Sequence, residues 1–216
     1  MYIPAAFKLS DLAALHHHIE QHPFATLVTF SAEHGLQASH LPLSLHRQQG
    51  PYGTLVGHLA HKNPLWQQHD SSQPVLAIFH GPHSYISPGW YPTKKQNGKA
   101  VPTWNYTAVH AYGHMHTTTD RAELKADLTQ LSDQHEQTMP SPWHLHDAPE
   151  PYINAMLNAI VGIRIEITQL QGKNKLSQNQ PMENQQGVIE NLRAHALPNT
   201  PAQEIADLME QQLRAK

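Results

Sequence analysis

The spacing of apolar positions changes several times along the chain, and each change marks an element. Leu12, Leu15 and Ile19 recur at helical spacing behind Ser10 and Asp11. This predicts an amphipathic helix to about Gln21, with the Ser10 hydroxyl as N-cap and Pro23 as its stop. Phe24 to Phe30 is rich in β-branched and aromatic residues and reads as a strand. Gly35 turns the chain into a second run, Leu36 to Leu45, in which Leu41, Leu43 and Leu45 alternate. Gly53 to Ala60 gives a third strand. Asn63-Pro64 combines N-cap chemistry with a proline at the first helical position, for a short helix to about His69.

Pro74 to Phe79 is a continuous apolar run of strand length, expected to be buried on both faces. Gly81-Pro82 separates it from a short strand at Ser84 to Ser87. Alternation from Thr103 to Met115 predicts a long strand, and Asp120 to about Gln137 a helix with Leu124, Leu128 and Leu131 on one face. A short helix from about Pro151 to Asn158 precedes the clearest strand, Ala159 to Leu170, where Ile163, Ile165 and Ile167 alternate with polar residues. Two helical segments, Met182 to His195 and Pro201 to Arg214, close the chain. Strands at short intervals, without strict strand–helix alternation, predict an α+β fold: an antiparallel sheet closed as a barrel, with helices packed outside.

Composition narrows the function. There are 216 residues, 39% apolar and 14% charged, with a formal net charge of −3. No basic block is present, so the charge does not support DNA binding through the phosphate backbone. The absence of cysteine excludes disulfides, thiolate metal sites and cysteine nucleophiles. No charged leader precedes an apolar core, and no run approaches the roughly 18 apolar residues of a membrane span. A soluble, cytoplasmic protein is expected.

Nineteen histidines invite a metal reading, with His110, His114 and His116 sharing one strand face. No HExxH is present and no carboxylate lies near them in sequence, so polar surface is the simpler account and no metal is expected. There is no GxSxG and no glycine-rich phosphate loop, and no catalytic residue is assigned. Two groups remain. GHLAHKNP, Gly57 to Pro64, ends a strand and opens a short helix with Lys62 beside its free amides, a candidate anion seat. SYISPGWYPTK and VPTWNY supply Ser87, Trp90, Tyr91, Lys94, Thr103, Trp104, Asn105 and Tyr106. These rings, hydroxyls and one amide suit a planar heteroaromatic ring with carbonyl edges.

Taken in order, MYIPAAF, SHLPL (Ser39 to Leu43), GHLAHKNP, VLAIFHGPHSYISPGWY, VPTWNYTAVHAYG and KLSQNQP resemble the PaiB family. These are FMN-binding negative transcriptional regulators with a split-barrel fold related to pyridoxamine 5′-phosphate oxidase. The resemblance implies a single FMN-binding split-barrel domain over residues 1–216, with a C-terminal helical segment over about 182–216. It also implies a homodimer with FMN at the subunit interface. Carried over residue by residue, the cofactor positions are Ser39, His40, Leu41, Pro42, His58, Leu59, Lys62, Asn63, Ser87, Trp90, Thr103, Trp104 and Asn105. Gly57, Tyr85, Tyr91, Tyr106, Lys175, Ser177, Gln178 and Asn179 also match motif positions. The chain departs from the family at His61-Lys62, where arginine beside a small residue is commoner, and at Gln180, where arginine is usual.

The function implied is that of a PaiB-type FMN-binding regulator or flavin-based redox sensor. A flavin-dependent oxidoreductase or flavin reductase is the alternative, and a haem-handling split barrel a third reading for which no axial histidine stands out. Strand alternation in VPTWNY puts Thr103 and Asn105 on one face and Trp104 and Tyr106 on the other.

Overall fold

A computed structural model describes residues 1–214; the last two positions of the C-terminal segment expected over 182–216 lie outside the described residues. The strands are β1 (Lys8–Leu9), β2 (Phe24–Ser31), β3 (Gly35–Pro42), β4 (Ser44–His46), β5 (Thr54–Ala60), β6 (Val75–Ile86), β7 (Thr103–Thr118) and β8 (Ile160–Lys175). The helices are α1 (Leu12–Gln21), α2 (Leu65–Gln68), α3 (Lys94–Asn97), α4 (Arg121–Glu136), α5 (Glu150–Leu157), α6 (Met182–His195) and α7 (Pro201–Arg214). The sheet runs β3-β2-β6-β7-β8-β5-β4, with β1 added on β8. β2 pairs antiparallel with β3 and β6, and β8 with β1 and β5.

Contacts divide the chain into two compact units. The first comprises Met1–His18, His80–Val109 and Gln171–Lys216, the second Ile19–Phe79 and His110–Leu170. β6, β7 and β8 each contribute residues to both.

In the second unit, Ala25, Leu27, Leu55, Phe79, Ile163 and Ile165 form a core at 1% exposure or less. Two glycines set its spacing. A Cβ at Gly57 would lie 2.8 Å from Leu43 Cδ2 and 2.9 Å from the Pro42 carbonyl, so glycine lets β5 approach the end of the SHLPL segment. A Cβ at Gly113 would run into the Glu166 carbonyl, which makes glycine the condition for β7 and β8 to close up there. Asp120 caps α4, its carboxylate accepting from the amides of Ala122 and Glu123. The helix packs Leu124 onto Leu145, Ile153 and Leu157.

In the first unit, α6 and α7 pack against each other. Val188, Ile189, Leu192, Ile205, Ala206 and Met209 cluster with Ile86, Tyr91 and Leu176. Gly187 is required in α6 because a Cβ would sit 2.4 Å from the Trp90 carbonyl.

Four expectations about elements are corrected. Asp11, not Ser10, caps α1: its carboxylate accepts from the Ala14 amide at 2.9 Å, and a charged acceptor outcompetes a hydroxyl at a helix N-terminus. The apolar run after Pro74 and the SYIS segment are one strand, β6. Proline has a fixed φ that suits extended chain and forfeits only one donor, so Gly81-Pro82 does not break it. That strand is not buried on both faces, since Val75, Ala77 and Phe79 are buried while Leu76 and Ile78 are half-buried. The Leu36–Leu45 run is split into β3 and β4 at Leu43, whose amide leaves the ladder to donate to the Pro23 carbonyl at 2.9 Å.

Candidate functional site

The expected cofactor residues fall into two groups, one in each unit. In the second unit β3 carries Ser39, His40, Leu41 and Pro42, β5 carries His58 and Leu59, and the turn into α2 carries Lys62 and Asn63. Ser39 and Asn63 are brought together: the Asn63 amide donates to Ser39 Oγ at 3.3 Å, and Asn63 Oδ1 accepts from the Leu65 amide at 3.0 Å. The asparagine thus ties α2 to β3. Lys62 is exposed on the same turn. His40 is exposed, stacked on Phe24 with centroids 6.5 Å apart, and its Nδ1 lies 3.1 Å from Thr26 Oγ1. Leu41 and Leu59 are core side chains, so only their backbones face outward chemistry. His58 is half-buried, and burial pushes its imidazole below the ordinary value.

The first unit holds Ser87, Trp90, Thr103, Trp104 and Asn105. Ser87 Oγ accepts from the Gly89 amide at 3.2 Å and caps the 3-10 turn Pro88–Trp90. Trp90 packs against the α6–α7 cluster and stacks on His195 at 6.3 Å. The alternation expected over Thr103 to Tyr106 is present, with Asn105 wholly buried and Trp104 52% exposed.

Behind β7, Asn105 Nδ2 donates to Ser177 Oγ at 3.0 Å and lies 3.4 Å from Met209 Sδ, while the Ser177 hydroxyl lies 3.2 Å from Asn105 Oδ1. Tyr91 also bonds Ser177, although burial is the larger effect and holds the phenol above its ordinary value. Ser177 has φ +63°, a left-handed conformation that is uncommon for serine and is kept here by its buried partners.

In front of β7, Trp104 meets the Tyr85 ring edge-on at 6.0 Å and the His83 ring at 6.1 Å. Tyr85 is itself 45% exposed. Lys175 Nζ donates to Thr103 Oγ1 at 2.6 Å and to the Trp104 carbonyl. Burial, followed by the charge of Lys173, lowers the Lys175 pKa from its ordinary value. Lys173 Nζ lies 5.1 Å from the Tyr106 ring. Sequence reasoning passed over His83 and Lys173. The expected strand ended at Leu170, and only its extension to Lys175 puts Lys173 and Lys175 on one face.

Among the described residues no three His, Asp or Glu side chains are arranged to hold an ion. His114 and His116 are exposed on β7, and His110 lies 6.3 Å from the Tyr112 ring. Among the described residues no helix is long and apolar enough to cross a membrane.

Comparison with known proteins gives the family and the fold. The family model described as "Putative FMN-binding domain" matches residues 1–169. The chain is 35% identical over 215 residues to the protease synthase and sporulation protein PAI 2 of Bacillus subtilis, covering 99% of each chain. A conserved hypothetical protein from Mycobacterium tuberculosis superposes with a TM-score of 0.58 at 12% identity, over 84% of this chain and 94% of that one. The FAD and haem binding protein from Mycobacterium smegmatis also gives 0.58 at 12% identity, over 88% and 80%. At such identities the two structures speak for the fold alone, and that fold is the antiparallel α+β split barrel. With a family model over most of its length and a relative aligned end to end, the chain belongs to the PaiB-type family of FMN-binding domains, and FMN is the cofactor of that family.

Proposed function

We propose that the chain is a homodimeric, cytoplasmic FMN protein that acts as a flavin-based redox sensor and negative regulator of transcription, with the flavin held in part by the VPTWNY segment. The observation that carries this reading is the exposed face of β6 and β7. Trp104 and Tyr85 are about half exposed on regular strands, although rings of this size ordinarily bury most of their area. Their uncovered apolar surface suits a flat ring, and the half-buried Lys175 amine beside Thr103 suits an electron-rich carbonyl edge or an anionic group. The residues therefore fit FMN.

Bound FMN supplies the electron exchange. The chain's residues orient it: Trp104 and Tyr85 offer the platform, Thr103 and Lys175 the polar edge, and Asn105 holds the strand from behind. In the second unit, Ser39, His40, Lys62 and Asn63 offer a hydroxyl, an imidazole, an amine and an amide around the turn into α2. Residues 80–109 contain no Asp or Glu.

Support for the homodimer comes from the β2–β3 hairpin. The cross-strand pairs Phe30↔Leu36, Val28↔Ala38 and Phe24↔Pro42 line one face, on which Phe24 is 67% and Leu36 77% exposed. An apolar strand face of this kind marks a protein contact.

The test is the absorbance of protein purified without added cofactor, followed by denaturation and chromatography of what is released. Flavin bands and free FMN are expected, and Trp104→Ala should weaken FMN binding at least tenfold in a fluorescence titration. Unchanged affinity would remove the ring from the site, and a Soret band would replace flavin with haem.

A further inference from the structure

Among the described residues, the first unit carries a group of amines with no acidic partner within 4.0 Å. β8 ends in GKNK, and the two-residue spacing puts Lys173 and Lys175 on one face. In the β1–β8 ladder Lys8 is the direct partner of Lys173, so a third amine joins the same face. Like charges directly opposite each other destabilise a strand pair. Lys173 is only 7% exposed, yet its Nζ finds only neutral neighbours: the Tyr2 carbonyl at 3.2 Å, and the Tyr2 and Tyr106 rings at 5.9 and 5.1 Å. Lys175 likewise bonds only to Thr103 Oγ1 and the Trp104 carbonyl.

Elsewhere arginines meet carboxylates, whether half-buried like Arg164 or exposed like Arg47 and Arg193. Arg47 meets Glu20, Arg164 meets Asp127, and Arg193 meets Asp207 and Glu210. Among the described residues no carboxylate lies within 4.0 Å of Lys8, Lys173 or Lys175, since none of the three takes part in an ion pair. The imbalance extends over the unit. Its segments hold nine Lys or Arg against six Asp or Glu, and the other unit five against eleven, which together make the chain's 14 and 17. A buried cation without a counter-charge is costly, and a ligand that brings the charge removes the cost.

The same face carries rings. Tyr106 touches Lys173, Trp104 lies two residues away on β7, and Tyr85 and His83 of β6 touch Trp104. We propose that Lys8, Lys173 and Lys175 form a seat for the phosphate of a phosphate ester whose planar ring lies on Trp104 and Tyr85. Three amines on one strand ribbon match a dianionic group, and each charge-assisted bond is short and strong. The phosphate can be that of bound FMN or that of a second, separate molecule. The seat is argued from strand register, burial and charge, and does not depend on the flavin reading.

The experiment uses the full chain and the variants Lys175→Gln and Lys8→Gln, with FMN, riboflavin, inorganic phosphate, AMP and adenosine as probes. Lys8 is exposed, so its variant remains informative if Lys175→Gln does not fold. If FMN's own phosphate takes the seat, the variants lose about tenfold or more in FMN affinity, riboflavin stays within twofold, and the loaded protein ignores AMP. If a separate ester takes it, Lys8→Gln leaves FMN affinity unchanged, inorganic phosphate binds the loaded protein, and AMP, which needs the same rings as the flavin, binds only the flavin-free protein. Adenosine then does not bind, and the variants weaken AMP about tenfold. Variants that leave every phosphate-bearing probe at wild-type affinity overturn the proposal. A wild-type chain that takes no flavin but loses AMP binding in Lys175→Gln would overturn the flavin reading and leave the seat standing.

Discussion

Asn105→Ala asks whether the VPTWNY strand is held from behind by its own buried side chain. Asn105 has no exposed surface, and its amide exchanges two contacts with Ser177, at 3.0 and 3.2 Å. Each such hydrogen bond contributes about 0.5–1.5 kcal/mol net, and a hydroxyl stranded in the interior costs roughly 1–3 kcal/mol. Tyr91 still reaches Ser177, so the serine keeps one partner and the stranding cost falls at the low end. The total is about 2–4 kcal/mol. For a chain of this length that corresponds to a fall in Tm of roughly 5–15 °C. The assay is thermal and urea unfolding of FMN-free protein at one fixed concentration, which separates lost packing from lost ligand contact and from dimer dissociation. Asn105→Ala, Ser177→Ala and the double variant complete a cycle. The double variant should be less destabilised than the two single effects combined, by about 0.5–3 kcal/mol. A loss under about 1 kcal/mol, or strictly additive effects, would refute the network as the strand's support.

Three further outcomes are expected. Burial lowers the His58 pKa in the folded chain, so the unfolded chain binds more protons once pH drops through about 6.5. The His58 contribution to stability is therefore complete above that pH and falls below it; urea midpoints should show this slope, and His58→Gln should reduce it. Asp120→Ala removes the acceptor of two α4 amides and should cost about 1 kcal/mol in urea unfolding, whereas Asp120→Asn should cost less. If the proposed homodimer forms through the apolar hairpin face, Leu36→Glu should lower the sedimenting mass without loss of the folded circular dichroism spectrum; an unchanged mass would refute that contact.

Much of the fold was legible because it rests on local pattern. Met182–His195 and Pro201–Arg214 are helices over the residues their periodicity predicts, and Ile163, Ile165 and Ile167 alternate into the core from β8 as read. The misreadings came where a long-range partner overrides a local signal. Gly81-Pro82 looks like a turn in sequence, but the strand continues through it. Leu43 sits in an alternating run, yet its amide is claimed by Pro23, twenty residues earlier. β8 continues five residues past Leu170 because GKNK has β1 to pair with, and nothing within GKNK announces that.

The candidate site was half legible for a related reason. Strand alternation divides VPTWNY between two faces. Asn105 faces inward to Ser177, Tyr91 and Met209, and Trp104 faces outward with Tyr85, His83 and, through its carbonyl, Lys175. The KLSQNQP segment divides in the same way: Ser177 turns to the core in a left-handed conformation, and Lys175, two residues before it, keeps its amine at Thr103. A motif conspicuous in sequence can thus hold residues that build a surface beside residues that are the surface. Only burial and partners tell them apart. By that measure Asn105 and Ser177 stand among buried protein partners, whereas Trp104 and Tyr85 are exposed and Lys175 is half-buried beside them.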